Sequence, residues 1–489
     1  MAIQHLSLRA LREQIESGTR EVTFKTDDGA MTQMVYIPRF TVPAGIWDNG
    51  AFPPADLHLG GFFIDKYQAS HKAATATSRG VGSGFTVPAD SEEHVAVSLP
   101  GRVPWTNISF PNAKQACANR KINGIPCHLV TPKEWAAMAF LIKLLGHDIR
   151  GNNASGRDYR DPNQWAYYGI PDPTQAGRVL TGTGPVSWSH NGMANGVFDL
   201  VGNVNEWIDF QMEGGIYTHV RTALTAEPLA EGASSVDVHS VSEADDWDGH
   251  ADTIVLDHGG AEVSYRITSI TALGDGRYDV RFDGIIDNAG GYAAGTAVRL
   301  EKRYCMIPGG SAAYLAEDID DQTLTFTVRD RVDAPGSSGF EPGDTLQIDL
   351  EQVVVASVDG NTITVEARGA NGSSVLSHPA GRPVAKLSPQ AGNHDPASTS
   401  EHGAYQYGMI QSLRTEPDLV PLAWPKTVGS SAGEWMDRFY WRNYRARAAN
   451  RGGYWDSGSN ARAGFYLYVY YVPSYVDASR GFRAALHLP

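Results

Sequence analysis

Between Tyr440 and Leu488 the sequence interleaves residues suited to recognition with residues suited to holding shape. Tyr454, Asp456, Ser457, Ser459, Tyr466, Tyr468, Tyr470, Tyr471, Tyr475, Asp477 and Ser479 are of the types that build adaptable combining surfaces. Tyrosine gives broad contact at small entropy cost, and Ser and Asp give hydrogen bonds that can be re-aimed. Among them stand Arg451, Gly452, Gly453, Trp455, Arg462, Gly464, Pro473 and the closing Gly481-Phe482-Arg483. Gly and Pro fix backbone geometry and Trp anchors a core, so these read as a frame. The competing reading is an aromatic core strand over Phe465 to Val472, since short apolar runs are commonly buried strands. Two features count against it: each buried tyrosine hydroxyl would need a partner, and the run continues past Pro473 into Tyr475, Asp477 and Ser479. The expected chemistry is reversible, non-covalent ligand binding.

Other chemistries find less support. Cys117, Cys127 and Cys305 make neither a disulfide framework nor a zinc spacing and read as free buried thiols. The histidines are scattered, each read as a surface or hydrogen-bonded residue rather than a ligand. Asp56, His58, Asp65 and His71 cluster in sequence near a strand, and a solvated loop is preferred there over a site. Gly309-Gly310 and the 336–339 segment lack the strand-to-helix setting of a phosphate loop. Arg442, Arg445, Arg447, Arg451 and Arg462 form either a basic patch or, as preferred here, an internal brace of ion pairs and bonds to loop carbonyls. Asp199, Asn203 and Glu206 offer the hard oxygen donors that Ca²⁺ takes. The alternative is that Glu206 and Trp207 anchor the core. No other cofactor is expected.

The elements that must position these residues follow from pattern. With 489 residues there is room for two or three domains. A hydrophobic share of 42%, 52 Gly and 27 Pro point to a loop-rich, β-containing protein. The net charge of -15 argues against a nucleic-acid partner. No stretch is long and apolar enough for membrane insertion, and Met1 to Arg20 lacks the apolar core of a signal peptide. Synthesis in the cytoplasm without secretion is expected, with transport on a carrier such as a phage particle. Leu6, Leu8, Leu11 and Ile15 predict a short amphipathic helix over 6–17. Met34 to Pro38 and Gly61 to Ser70 read as strands, and a helix is expected near Asn112 to Lys121. Thr131-Pro132-Lys133-Glu134 supplies an N-cap, a proline suited to the first turn and a capping box for a second helix.

Arg451-Gly452-Gly453-x-Trp455 leading to Gly481-Phe482-Arg483 resembles the end of the C-type lectin fold of the formylglycine-generating-enzyme type. Asn195 to Trp207, with Gly202, Asn203, Glu206 and Trp207, resembles that family's central segment. Met34 to Pro38, Gly61 to Ser70 and Pro126 to Trp135 resemble earlier ones, with His128 and Val130 as departures in the last. The signatures stand in the family's order. The interleaved carboxyl end is similar to the variable proteins of diversity-generating retroelements, such as the phage major tropism determinant. There, template adenines are mutated so that Asn codons become Tyr, Asp or Ser on a fixed scaffold. That resemblance implies a phage tail-tip or receptor-binding protein in the virion, a bacterial surface protein or glycan as ligand, other tail proteins as partners, and a homotrimer. The enzymes of the fold carry reactive cysteines after Arg-Gly-Gly-x-x. Here Asp456, Ser457, Gly458 and Ser459 stand in those places, and no cysteine follows Cys305. The iron spacing of the related sulfoxide synthases is absent as well. The expectation is therefore no enzyme, with a formylglycine-generating-enzyme-like oxidase or a bacterial surface or structural protein as alternatives.

The expected fold class is α+β: a C-type lectin fold interrupted by an all-β insertion. The expected domains are a segment 1–30, a first lectin part 31–212, an insertion 213–401, and a second lectin part 402–489 with its variable region at about 440–482. Within the insertion, Asp252–Asp257, Val263–Ile270, Tyr278–Val280 and Ala294–Val298 match Asp344–Asp349, Val353–Val358, Thr362–Val365 and Ala380–Val384 as a weak internal repeat. The second copy is similar to small β-modules of phage tail and baseplate proteins.

Overall fold

The computed structural model describes residues 17–163, 165–213, 215–242, 249, 251–258, 260–306, 312–329, 340–348, 351–380, 382–387, 405–442 and 446–488. The helix expected from Leu6 lies outside them but for its last residue. The α+β expectation is corrected: the chain is mostly β, with 39% strand and 9% helix. The described helices of the α type are two, Phe110–Ala118 and Pro132–Leu145. The reason is local. Both helices begin with a proline in the first turn followed by buried apolar residues, while the described residues of the inserted part alternate in twos and go mostly to strands and turns.

One compact unit comprises Met1–Gln211, Tyr405–Arg442 and Ala446–Pro489. Its first sheet runs Arg20–Lys25, Met31–Ile37, Phe62–Asp65, Ala484–Leu486, His128–Leu129, every neighbour antiparallel. The last strand of the chain thus slots between two early ones. The first helix begins at Phe110, two residues before the expected start, because Pro111 suits the first turn, and it buries Phe110, Ala113, Ala116 and Cys117. The second is held by the Thr131/Glu134 capping box and ends at Gly146, whose φ of 70° is left-handed. Its Trp135 indole donates to the carbonyl of Gly464 at 2.9 Å, tying helix to carboxyl-terminal frame. A second sheet orders Asn205–Glu213, Ala446–Arg451, Leu467–Val469, Arg438–Arg442, Tyr405–Leu413 and Pro425–Gly429, with Arg480–Phe482 parallel to Asn205–Trp207.

Where the two sheets meet the chain end, four charges are fully buried. Arg483 makes a bidentate pair with Glu206 at 2.5 and 2.6 Å and donates to the carbonyls of Asp65 and Phe198, both at 3.0 Å. Arg120 donates to Asp65 Oδ1 at 2.8 Å, and the Ala484 amide to Asp65 Oδ2 at 2.8 Å. Asp65 and His71 are therefore core residues, whereas Asp56 and His58 are exposed. The solvated-loop reading of that cluster is corrected for its second half.

The other unit comprises Met212–Ala404 and Asn443–Arg445. Strands Ile216–Thr225, Ser235–His239, Thr253–His258, Ala261–Gly274, Arg277–Phe282 and Ala297–Cys305 pair in the order first, second, fifth, fourth, third, sixth. The first–second pairing sets Leu224 opposite His239, and the sixth strand pairing back along the first, Thr218 opposite Arg303 to Leu224 opposite Ala297, closes the ring. Ala312–Leu315, Thr325–Arg329, Thr345–Ile348, Glu351–Asp359, Thr362–Val365 and Pro383–Leu387 form a closed barrel in the same order. The weak sequence repeat aligns the third to sixth strands of one barrel with the third to sixth of the other. The bridges Leu229–Tyr292 and Ile319–His378 are equivalent too. Each barrel has its own apolar core, Ile254, Leu256, Val280 and Leu300 in one, Leu346, Val353, Ile363 and Val384 in the other. In the second barrel, buried Glu351 is gripped by Arg368 at 2.7 Å through both oxygens and by His378 at 2.9 Å. Burial favours its neutral form, but these bonds hold its pKa down to about 2.

Arg483→Met leaves Glu206 buried and unpaired, and urea unfolding should give a loss of about 3–5 kcal/mol. The Glu351 contribution should be complete above the ordinary glutamate pKa of 4.5 and fade as pH falls towards 2. Circular dichroism of the full chain should show that acid-sensitive limb, and Glu351→Gln should flatten it.

Candidate functional site

Strands Arg438–Arg442 and Leu467–Val469 pair in parallel, with Phe439 opposite Leu467, Tyr440 opposite Tyr468 and Trp441 opposite Val469. Strand side chains alternate between faces. Phe439, Trp441, Leu467 and Val469 consequently enter the core, while Tyr440 and Tyr468 share the other face. Tyr407, opposite Tyr440 on the next strand, extends the row. Ring centroids are 5.8 Å apart for Tyr407–Tyr440, 4.8 Å for Tyr440–Tyr468, 5.4 Å for Tyr468–Tyr471 and 4.0 Å for Tyr471–Tyr475. Tyr470 stands edge-on to Tyr471 at 5.1 Å. The result is a continuous aromatic face of half-buried rings.

Three guanidinium groups brace it. Arg438 lies 4.4 Å from the Tyr407 ring and 5.1 Å from Tyr440. Arg442 lies 4.2 Å from Tyr470 and donates to its hydroxyl at 2.7 Å. Arg480 lies 3.9 Å from Tyr471 and 4.9 Å from Tyr475, and is ion-paired with Asp477. Each cation–π contact contributes roughly 0.5–1 kcal/mol where solvent reaches it. Burial and the Asp477 charge push the Tyr475 hydroxyl up to about 12, so it is a neutral donor at ordinary pH.

The expected site residues divide. Tyr468, Tyr470, Tyr471 and Tyr475 belong to the face, and Tyr454 stands edge-on to Trp455 at 5.3 Å. Asp456 and Ser459 are exposed nearby. Asp477 Oδ1 accepts both the amide and the hydroxyl of Ser479 at 2.7 Å, so this pair shapes a turn as well as facing outward. Two placements are corrected. Tyr466 is only 3% exposed because it lies behind Tyr440 and Tyr468. Ser457 is buried because its hydroxyl accepts the Tyr454 amide at 2.9 Å. Neither can reach a ligand without rearrangement.

The frame acts on backbone atoms. Arg451 donates to the carbonyls of Phe465 at 3.0 Å and Leu422 at 2.8 Å, and its burial lowers its pKa to about 9. Gly453 has a φ of 78°, and a Cβ there would lie 2.5 Å from Ala461. Trp455 accepts the Ser155 amide through its carbonyl at 2.6 Å, while Trp207 donates to Ile108 at 3.0 Å. Gly202 donates its amide to the carbonyl of Gly452 at 2.8 Å. Gly481 and Phe482 are buried in the strand beside Glu206 and Trp207.

Sequence reasoning missed Asp437, whose buried carboxylate accepts the amides of Arg462, Ala463, Phe465 and Tyr466 and so fixes the loop that delivers the tyrosines. It also missed Tyr407, Tyr440, Arg438 and Arg480 as parts of the face. The alternation Arg438-Phe439-Tyr440-Trp441-Arg442 was the available signal. A neighbouring open groove of about 560 Å³ is lined by Arg157, Tyr159, Asp161, Pro162, Asn163 and Trp165. Trp165 is 86% exposed, and the Tyr159 ring lies 5.7 Å from the Arg462 guanidinium.

The oxygens weighed for Ca²⁺ do not fit the ion. Both Glu206 oxygens are taken by Arg483, and Asn203 Oδ1 accepts the Val179 amide at 2.9 Å and the Asn152 side chain at 3.1 Å. Asp199 Oδ1 alone is without a partner, far short of the roughly six to eight oxygens Ca²⁺ takes. Cys117 and Cys127 are buried free thiols, and burial pushes both pKa values up, away from the reactive thiolate. Among the described residues, no helix is long and apolar enough to cross a membrane.

Residues 19–224 match the family described as the sulfatase-modifying factor enzyme 1-like domain. That match supports the lectin-type fold for the first part of the chain; the tyrosine strands lie outside the matched span. No curated protein matches the chain.

Position in the face sets the cost of truncation. Tyr466→Ala should lose about 3–5 kcal/mol in denaturant unfolding, as for a buried aromatic. Tyr475→Ala should stay within about 1 kcal/mol of the parent.

Proposed function

We propose that this chain is a non-catalytic ligand-binding protein whose tyrosine face is its combining surface, diversified in sequence on a constant scaffold. In this reading it is a receptor-binding protein of a phage tail tip, and it grips a bacterial surface protein or glycan. The observation that carries the reading is the continuous row from Tyr407 through Tyr440, Tyr468 and Tyr471 to Tyr475. Rings already stacked and braced lose little further freedom on binding, so more of the contact energy appears as affinity. The bonds that Asp437 and Arg451 make also favour diversification. They are made to backbone amides and carbonyls, which survive whatever side chain a position carries. Weak single sites suffice where many copies engage together, as in a trimer on a multivalent particle.

An oxidase is the second reading, favoured by the enzyme name of the matching family. Against it stand Asp456, Ser457, Gly458 and Ser459 where that resemblance needs cysteine, and the lack of any cysteine after Cys305. Stoichiometric copper or iron in the purified chain together with oxygen consumption would establish it instead.

The Tyr471→Ala/Tyr475→Ala double variant should lower adsorption to cells of a susceptible bacterial strain at least tenfold, about 1.4 kcal/mol or more. Its thermal midpoint should match that of the parent. Unchanged adsorption would remove the face from the binding site. The flanking DNA supplies an independent check: a near-copy of the 3′ end rich in Asn codons, beside a reverse transcriptase, is expected.

A further inference from the structure

Beyond the tyrosines, the strand Ala484–Leu486 leads into a second arrangement. His128 pairs with Ala485 across the first sheet, which puts His487 diagonally opposite on the same face. The two imidazoles lie parallel, with an interplanar angle of 2° and centroids 5.5 Å apart. Both aim Nε2 at one oxygen: His128 Nε2 is 2.9 Å and His487 Nε2 is 3.1 Å from Glu134 Oε1. The three donor atoms all lie within 4.8 Å of one another.

We propose that His128, Glu134 and His487 form a zinc-binding site. Tetrahedral Zn²⁺ with bonds of about 2.0–2.1 Å separates its donors by roughly 3.3 Å, close to the 2.9 and 3.1 Å already present between Glu134 and the two imidazoles. The donors are also pre-oriented. Glu134 Oε2 is fixed by the Thr131 amide at 2.8 Å and the Thr131 hydroxyl at 2.9 Å, which leaves Oε1 for the ion. The His487 ring also packs beside Phe62, with centroids 6.1 Å apart. His487 is 61% exposed, so an ion has a path in. With three protein donors, the fourth position falls to water or to a group from another molecule. The site would staple His487, just past the strand Ala484–Leu486, to the start of the second helix.

Calorimetric titration of the full, metal-free chain with ZnCl₂ should show one equivalent bound. His128→Ala and His487→Ala should each weaken that binding at least tenfold, since even outer-shell losses cost about 10–100-fold. His58→Ala, at an exposed histidine on another strand, should leave it unchanged. Co²⁺ should give the visible bands of a tetrahedral centre in the parent and lose them in His487→Ala. Zn²⁺ should raise the thermal midpoint of the parent and not of that variant. No uptake, or uptake indifferent to His128 and His487, would overturn the assignment.

Discussion

Everything in the lectin-type unit depends on keeping four charges out of water. Asp65, Arg120, Glu206 and Arg483 come from the beginning, middle and end of the chain, and each is fully buried. Desolvating such groups costs several kcal/mol apiece, repaid only when geometry and hydrogen bonding are complete. Here they are: Glu206 is held bidentately, and the spare donors of Arg483 reach backbone carbonyls. A network this demanding tolerates one arrangement of the strands that bring it together. It therefore specifies that Ala484–Leu486 enters between Phe62–Asp65 and His128–Leu129. Once that strand is seated, the tyrosine segment ahead of it in sequence has both ends fixed.

Between those fixed ends, the segment is supported by contacts that ignore side-chain identity. Asp437 collects amides, Arg451 collects carbonyls, and Gly452 and Gly453 let the backbone pass where a Cβ would collide. The tyrosines then interact mainly with one another and with Arg438, Arg442 and Arg480. This division explains why the face is half-buried rather than fully displayed. Stacked rings shield each other's faces while their edges and hydroxyls stay within reach of a partner.

What sequence could reveal follows from the range of the forces involved. The capping box at Thr131–Glu134 and the alternation of the inserted strands are local, and both were legible. The tyrosine, Gly and Arg punctuation of the carboxyl end was legible as a pattern of residue types. Its depth was not: Tyr466 and Tyr468 look alike in sequence and share one side, yet Tyr466, just ahead of the paired residues, is covered by Tyr440 and Tyr468 while Tyr468 is half-buried. The strand-rich composition was also misjudged. Two recognisable helices drew the expected class towards α+β, although they are a small share of the chain. Asp437 escaped notice because its partners are backbone amides 25 or more residues away, which leave no mark on residue types.

The inserted unit makes the same point from the opposite side. Its two barrels share one unusual strand order, yet their alignment in sequence is faint. Alternation and turn positions are enough to keep such an order, since hydrogen-bond register needs only that apolar residues return to the same face. Polar specialisation can then differ between copies. Glu351, Arg368 and His378 lock one barrel, while the other has Tyr292 at the bridge where His378 stands. A scaffold whose order is carried by backbone pairing leaves its side chains free to diverge. The same division holds beneath the tyrosine face, where Asp437 and Arg451 bind backbone amides and carbonyls rather than side chains.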